Sequence, residues 1–88
     1  MSEAGAMIID DVVRRILAEH SRVGEKALDI DRTANLFDAG LDSIAAVNVM
    51  LAVEEAFAFE FPQTSLTRAT FSSVSAIAEV IQKATIPC

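Results

Sequence analysis

The residues best placed to do chemistry lie at one short turn, which reads G-L-D-S over residues 40–43. Gly40 can adopt a positive φ at little cost, so it favours a tight turn here. Residues 44–57 contain no Gly or Pro and are predicted to form a helix. Asp42 and Ser43 then stand at the helix start, where side-chain oxygens cap free backbone amides. On residue chemistry alone Ser43 is a cap, because no His or Lys lies nearby in sequence to activate it as a nucleophile.

The remaining reactive side chains do not assemble into a catalytic set. His20, the single histidine, falls at the predicted end of the first helix and is expected to cap it rather than to act as a base. Cys88, the single cysteine, is too isolated for an internal disulfide, and the sequence has no Cys/His cluster for a metal. No pair of carboxylates accompanies an evident pocket. Neither a catalytic site nor a metal site is predicted.

Apolar periodicity predicts an all-α domain of three longer helices and one short one. The first helix runs from about Ala6 to His20, the second is the 44–57 helix, and the last begins at Ser72 or Ser73. A short helical turn is expected over Thr64–Arg68, after Pro62 ends an extended segment. The core-facing stripes of the first and last helices comprise Ile9, Val12, Val13, Ile16, Leu17, Val74, Ile77, Ala78 and Ile81.

A long connection, Ser21–Asn35, joins the first two longer helices. Loops of this length are uncommon between packed helices unless they are functional or wrap the core. Leu28 and Ile30 alternate with polar neighbours, so we expect these two side chains to hold the connection against the bundle.

The second helix is apolar nearly all round, since only Asn48, Glu54 and Glu55 are polar between residues 44 and 57. Complete burial of such a helix is hard to arrange in a chain of 88 residues. One side is therefore expected to be an exposed docking surface. The alternative is a central helix with small residues where its neighbours pack closely. The residues expected on the docking surface are Ile44, Ala45, Asn48, Val49 and Ala52.

Length and charge bound the class of protein. The 88 residues suit one domain, spanning 1–88 with a core of about residues 6–84, and 52% of them are apolar. A net charge of −6 argues against nucleic acid or an anionic membrane as a partner. Five acids and no Lys or Arg lie between Thr33 and Thr67, which suggests basic partner surfaces, although a merely solvated face is equally compatible. With no secretory signal and no membrane-spanning stretch, the cytoplasm is the expected compartment.

The turn and the helix after it resemble a known family. Residues 39–44 read A-G-L-D-S-I, residues 54–57 read E-E-A-F, and residues 59–62 read F-E-F-P. The first run resembles the signature of acyl and peptidyl carrier proteins, and the other two match the pattern that follows the second helix in that family. The resemblance covers roughly residues 8 to 83. It implies a carrier-protein-like four-helix bundle with a long first loop.

The resemblance also implies a role for each motif residue. Ser43 would be the attachment point for 4′-phosphopantetheine, installed by a separate phosphopantetheinyl transferase with Mg²⁺ and coenzyme A. Asp42 would serve in capping or in recognition by the transferase, and Glu54 and Glu55 would contact partner enzymes. The chain would be no enzyme but a monomeric carrier, holding its cargo as a thioester on the thiol of the arm.

The cargo is indicated by departures from the family pattern. Housekeeping fatty-acid carriers have acids where this chain has Ala45 and Asn48, and their third helix is acidic where this chain has Arg68. Arg68 would repel a basic synthase surface. Residues 66–73, L-T-R-A-T-F-S-S, are similar to those of stand-alone aminoacyl carrier proteins.

In those systems a truncated ligase, resembling seryl-tRNA synthetase, loads a small amino acid that passes to a downstream transferase. A small amino acid or other specialised acyl group is therefore the favoured cargo. The alternatives are a carrier for fatty-acid or polyketide synthesis and, from another class, an unmodified helical interaction module.

Overall fold

The computed structural model describes residues 3–85 and is all-α over that range. Cys88 lies outside the described residues. The three longer helices that the sequence predicts are present, and the first begins at Glu3 rather than near Ala6. In chain order the elements are α1 (Glu3–His20), α2 (Lys26–Asp29), α3 (Leu36–Ala39), α4 (Ser43–Phe57), a 3₁₀ turn (Gln63–Ser65) and α5 (Val74–Thr85).

The three longer helices bury their apolar stripes against one another. The stripes predicted for α1 and α5 face this core, with only Val12 of that set partly exposed. Each fully buried aliphatic side chain stabilises the fold by about 1.5–3 kcal/mol relative to exposure. The completely buried large side chains are Leu17, Leu36, Ile77, Ile81, Val13, Val49, Val53 and Val74.

The connection between α1 and α4 is held partly as predicted, because Ile30 packs against the core, and partly by Val23 and Ala27 in place of Leu28. Val23 and Ala27 are buried, whereas Leu28 is 49% exposed and Ile30 is only partly buried. The prediction for Leu28 was wrong because it assumed an extended chain, in which alternate residues share a face. The helical turn of α2 instead buries Ala27 and leaves the next residue, Leu28, on the exposed side. Arg14 of α1 secures the turn by donating to the carbonyl oxygens of Ala27, at 3.1 Å, and of Ile30.

The end of the connection is tied to the start of α5. The Asn35 side chain caps α3 by accepting a hydrogen bond from the Phe37 amide at 2.9 Å. Leu36 is fully buried, and its amide donates to the Ser72 carbonyl oxygen at 2.7 Å. These contacts fix the position of the chain just before the turn at residue 40.

The segment between α4 and α5 contains less helix than predicted. Its 3₁₀ turn, Gln63–Ser65, is shorter than the expected Thr64–Arg68 turn, and irregular turns follow it. Of the two serines considered as caps for α5, Ser73 has this role, because its hydroxyl accepts from the Ala76 amide at 3.1 Å. The buried ring of Phe71 holds this segment against the core, with its centroid 5.4 Å from that of Phe61.

Candidate functional site

The site begins with the turn at Gly40. The φ of Gly40 is 128°, a conformation that side chains other than glycine rarely adopt, as the sequence predicted. A methyl group at this position would lie 3.2–3.3 Å from backbone atoms of Arg22 and Val23. The next residue, Leu41, is buried and its amide donates to the Leu36 carbonyl oxygen at 2.9 Å. The turn is therefore pressed against the start of the long connection and leaves little freedom in the placement of the residues after it.

Asp42 and Ser43 have different roles at the start of α4. Asp42 is the N-cap, since its Oδ1 accepts a hydrogen bond from the Ala45 amide at 2.8 Å. Ser43 is the first helical residue and is exposed, and its hydroxyl has no hydrogen-bond partner within residues 3–85. The residue-based interpretation of Ser43 as a cap was therefore wrong. With Asp42 satisfying the helix end, the Ser43 oxygen is accessible to a reaction partner.

His20 does not fulfil its predicted role as the cap of the first helix. It is exposed, and the C-terminal end of α1 is closed by the following residue. The Ser21 amide and hydroxyl both donate to the Leu17 carbonyl oxygen, at 3.1 and 2.7 Å. A serine hydroxyl that bonds back to the helix satisfies one of the free carbonyl oxygens at the helix end.

An apolar groove of about 360 Å³ opens beside Ser43, between α4 and the segment before α5. The groove has the size of a small ligand pocket. Arg68 lies at this groove with its guanidinium carbon 3.9 Å from the centroid of the Phe37 ring, a cation–π contact. The lining residues are Phe37, Ser43, Ala46, Val47, Met50, Leu66, Thr67, Arg68 and Phe71. Of these, sequence analysis had proposed only Ser43 and Arg68 as site residues.

The outward face of α4 is apolar, as predicted, but its composition differs. Ile44, Val47 and Leu51 are 78%, 52% and 54% exposed, and Asn48 is exposed beside them. Ala52 is partly buried at the edge.

Two residues predicted for this surface are instead in the core. Ala45 is 8% exposed and Val49 is completely buried, so neither is available to a partner. Residues 45, 49 and 53 recur every four positions and share the inward face of the helix. The prediction drew residues from both faces because a helix that is apolar all round gives no periodic signal.

The two acids at the end of α4, Glu54 and Glu55, differ in burial and in contacts. Glu54 is partly buried, and its Oε2 accepts a hydrogen bond from the Phe61 amide at 2.9 Å. Glu55 is exposed and has no ion pair or hydrogen bond among the described side chains. Sequence analysis treated both acids as partner contacts, but Glu54 also stabilises the chain reversal after α4.

Two negative findings concern the part of the chain that the structure describes. Within it, no group of three or more His, Cys, Asp or Glu side chains is arranged to hold a metal ion. No helix of this part is long and apolar enough to cross a membrane.

Comparison with protein families identifies the family of the chain. Residues 11–81 match the family model described as the phosphopantetheine attachment site. The chain is 40% identical over 70 residues to an aminoacyl carrier protein of Agrobacterium fabrum, covering 80% of this chain and 84% of that relative. It is also 40% identical over 55 residues to aminoacyl carrier protein 1 of Bradyrhizobium diazoefficiens, covering 62% and 61%.

Solved structures agree with this family assignment. A chain in the crystal structure of an engineered Bradyrhizobium japonicum glycine:[carrier protein] ligase, complexed with carrier protein from Agrobacterium tumefaciens and AMP, superposes with a TM-score of 0.77. The identity is 38%, and the match covers 83% of this chain and 97% of that chain. A chain in the complex of the B. japonicum ligase with glycylated carrier protein gives a TM-score of 0.70 at 31% identity, covering 83% and 97%.

The local geometry fits the group that the family carries. An exposed hydroxyl without a hydrogen-bond partner among residues 3–85 opens onto an apolar groove, and a single guanidinium lies at that groove. A covalent 4′-phosphopantetheine has an anionic phosphodiester next to its attachment point and a mostly uncharged arm beyond it, which matches this arrangement. The protein is thus a non-catalytic carrier whose cofactor is covalent 4′-phosphopantetheine. The chain belongs to the phosphopantetheine-attachment family and, within it, to the aminoacyl carrier proteins.

Proposed function

We propose that the Ser43 hydroxyl is the attachment point and that the chain carries a small amino acid between a free-standing ligase and a downstream transferase. The observation that carries this proposal is the free, exposed Ser43 hydroxyl at the start of α4, beside an apolar groove. The domain would extend over residues 1–88 and act as a monomer in the cytoplasm.

Attachment is a phosphoryl transfer in which Ser43 supplies the nucleophile. A bond forms between Ser43 Oγ and the pantetheine-side phosphorus of coenzyme A, while the pyrophosphate bond breaks and releases adenosine 3′,5′-bisphosphate. The hydroxyl proton passes to a base on the transferase, because among residues 3–85 the Ser43 hydroxyl has no hydrogen-bond partner to take it. When bound, the group supplies a terminal thiol that holds the cargo as a thioester.

Asp42 keeps the attachment point in place. Its carboxylate accepts from the Ala45 amide and so fixes the first turn of α4, on which Ser43 stands. Asp42 is itself exposed and can also be recognised by the transferase. The neighbouring helix N-terminus favours the negative charge of a phosphodiester on Ser43.

The choice of an aminoacyl cargo is supported by the relatives. Curated relatives at 40% identity are aminoacyl carrier proteins, and the similar solved structures contain a glycine:[carrier protein] ligase, one with a glycylated carrier. We extend this to the present chain and name glycine, or an amino acid of similar size, as the cargo.

The ligase would dock on the outward face of α4. This docking face consists of Ile44, Val47, Asn48, Leu51 and the edge at Ala52, with Glu55 at its far end. Apolar side chains left exposed on a small domain are available for burial by a partner. Since Glu54 is engaged within the chain, Glu55 is the acid of the pair that is free to meet a basic surface, and its contribution is sensitive to salt.

Attachment is tested by mass spectrometry. Apo protein, coenzyme A, Mg²⁺ and a broad-specificity transferase should yield one added phosphopantetheine per chain. Ser43→Ala should add none, whereas Thr64→Ala, which removes another exposed hydroxyl, should be loaded like the wild type. Loading of Ser43→Ala, or no loading of the wild type, would refute the assignment.

Cargo is tested by competition on the loaded protein. A glycine:[carrier protein] ligase and a malonyl transferase of fatty-acid synthesis are offered separately, and the intact mass is followed. Glycylation without efficient malonylation is expected, and the reverse would overturn the aminoacyl cargo while leaving the carrier role intact. Leu51→Asp should slow glycylation by reducing docking, whereas Leu28→Asp, which alters a similarly exposed leucine far from α4 in sequence, should not.

A further inference from the structure

We infer that Arg68 binds the phosphodiester formed on Ser43 and thereby orients the start of the arm along the groove. This inference rests on the proposed attachment at Ser43. It concerns a positioning residue of this chain rather than a contact with a partner enzyme.

Positive charge is scarce in the part of the chain that forms the groove. Between residues 33 and 82 the chain has one Lys or Arg, which is Arg68, among six acids. That single cation lines the same groove of about 360 Å³ as Ser43. Since no other lining residue of the groove is charged, a new phosphodiester on Ser43 has one cationic side chain of this groove available to it.

Arg68 is held by the Phe37 ring but makes no ion pair among the described residues. Its guanidinium carbon lies over the Phe37 ring, 3.9 Å from the ring centroid, and this contact holds the side chain at the groove. None of the ion pairs and side-chain hydrogen bonds found within residues 3–85 involves its N–H groups. The N–H groups of Arg68 are therefore free to donate, and the planar fork of a guanidinium matches two phosphate oxygens.

Asp42 lies beside the proposed attachment point and affects the charge there. Asp42 directly precedes Ser43 and is exposed, so its carboxylate repels the added phosphodiester. A donor approaching from the Phe37 side of the groove offsets this repulsion. It also favours a path of the arm along the groove, away from the Asp42 carboxylate.

The experiment is nuclear magnetic resonance on protein whose loading has been verified by intact mass. In the wild type, loading should shift the Arg68 Nε–Hε resonance and slow its exchange with water by about two- to fivefold, as expected of an exposed ion pair. The ³¹P resonance of Arg68→Gln should move towards that of the same loaded protein in denaturant. Arg68→Lys should lie between, because it keeps the charge but loses the planar fork.

Lys83→Gln is the matched control, since Lys83 is also an exposed base but pairs with Glu79 at 3.2 Å and does not line the groove. Its ³¹P resonance should match that of the wild type. Loaded wild type with an unmoved Arg68 resonance, or with the same ³¹P position as Arg68→Gln, would overturn the role of Arg68 alone. Absence of the added mass would refute attachment at Ser43 as well, so the two failures are told apart.

Discussion

The hydrogen bond from the Phe61 amide to Glu54 gives the sharpest test of how α4 is joined to the rest of the bundle. The acceptor is a carboxylate oxygen at 2.9 Å, and Phe61 is only 6% exposed. Glu54→Ala leaves this amide without its partner. Hydrogen bonds to charged groups contribute about 1.5–3 kcal/mol, and because Glu54 is partly exposed we take the lower end. For a domain of this size, about 1.5 kcal/mol lowers Tm by about 6–12 °C.

Glu55→Ala is the control that isolates this bond. It makes the same change in helix propensity and in charge near the C-terminal end of α4, yet Glu55 has no such contact among the described residues. Its effect should stay within about 0.5 kcal/mol, the usual range for surface substitutions. Glu54→Gln keeps an acceptor oxygen and should cost about half as much as Glu54→Ala. Urea and thermal unfolding followed by circular dichroism measure all three, and equal stabilities of Glu54→Ala and Glu55→Ala would refute the reasoning.

Four further predictions address the turns and the loop. Asp42→Ala should destabilise the apo protein by about 1 kcal/mol in urea unfolding, whereas Asp42→Asn, which still caps, should cost a few tenths; equal losses would contradict the capping role. Gly40→Ala should lower Tm more than any other single Gly→Ala change in the described chain, since it combines a φ of 128° with contacts of 3.2–3.3 Å to backbone. Ala58→Gly should raise stability by up to about 1 kcal/mol, because Ala58 has a left-handed φ of 54°; a loss would show that the conformation carries no strain. Hydrogen bonds from the Thr33 hydroxyl and then its amide hold the pKa of Asp31 below the ordinary value of an aspartate, so the stability they confer is present above that ordinary value and is lost as pH falls through the lowered pKa. Thr33→Ala should raise the Asp31 pKa in an NMR titration, and an unchanged pKa would refute this cause.

The parts of the fold with a periodic pattern could be predicted from sequence, and α4 shows where that method ends. In α1 and α5 the apolar residues recur at helical spacing, so both the helices and their buried faces follow from the pattern. In α4 nearly every residue is apolar, so the helix is predictable but its inward face is not. Ala45 and Val49 were assigned to the wrong side for this reason.

The details of the candidate site depend on contacts that are distant in sequence. The turn at Gly40 and the serine after it have local signals, and both were predicted. The groove is lined by Phe37, Met50 and Leu66, which come from three separate segments, and no local sequence pattern predicts that they lie together. The bond between Glu54 and Phe61 spans a chain reversal with a left-handed Ala58, and a non-glycine residue gives no sequence signal for that conformation.

The proposed docking face of α4 is small, and its size limits how tightly a partner can bind there. Three large apolar side chains, Ile44, Val47 and Leu51, dominate it, and one free acid, Glu55, lies at its end. The six residues of this face are fewer than the roughly 20–30 that each side of a stable protein interface contributes. Docking through it alone is therefore weak and readily reversed. The proposed encounters with a transferase, a ligase and an acceptor enzyme in turn would require the carrier to leave each of them, so weak docking suits that sequence of encounters.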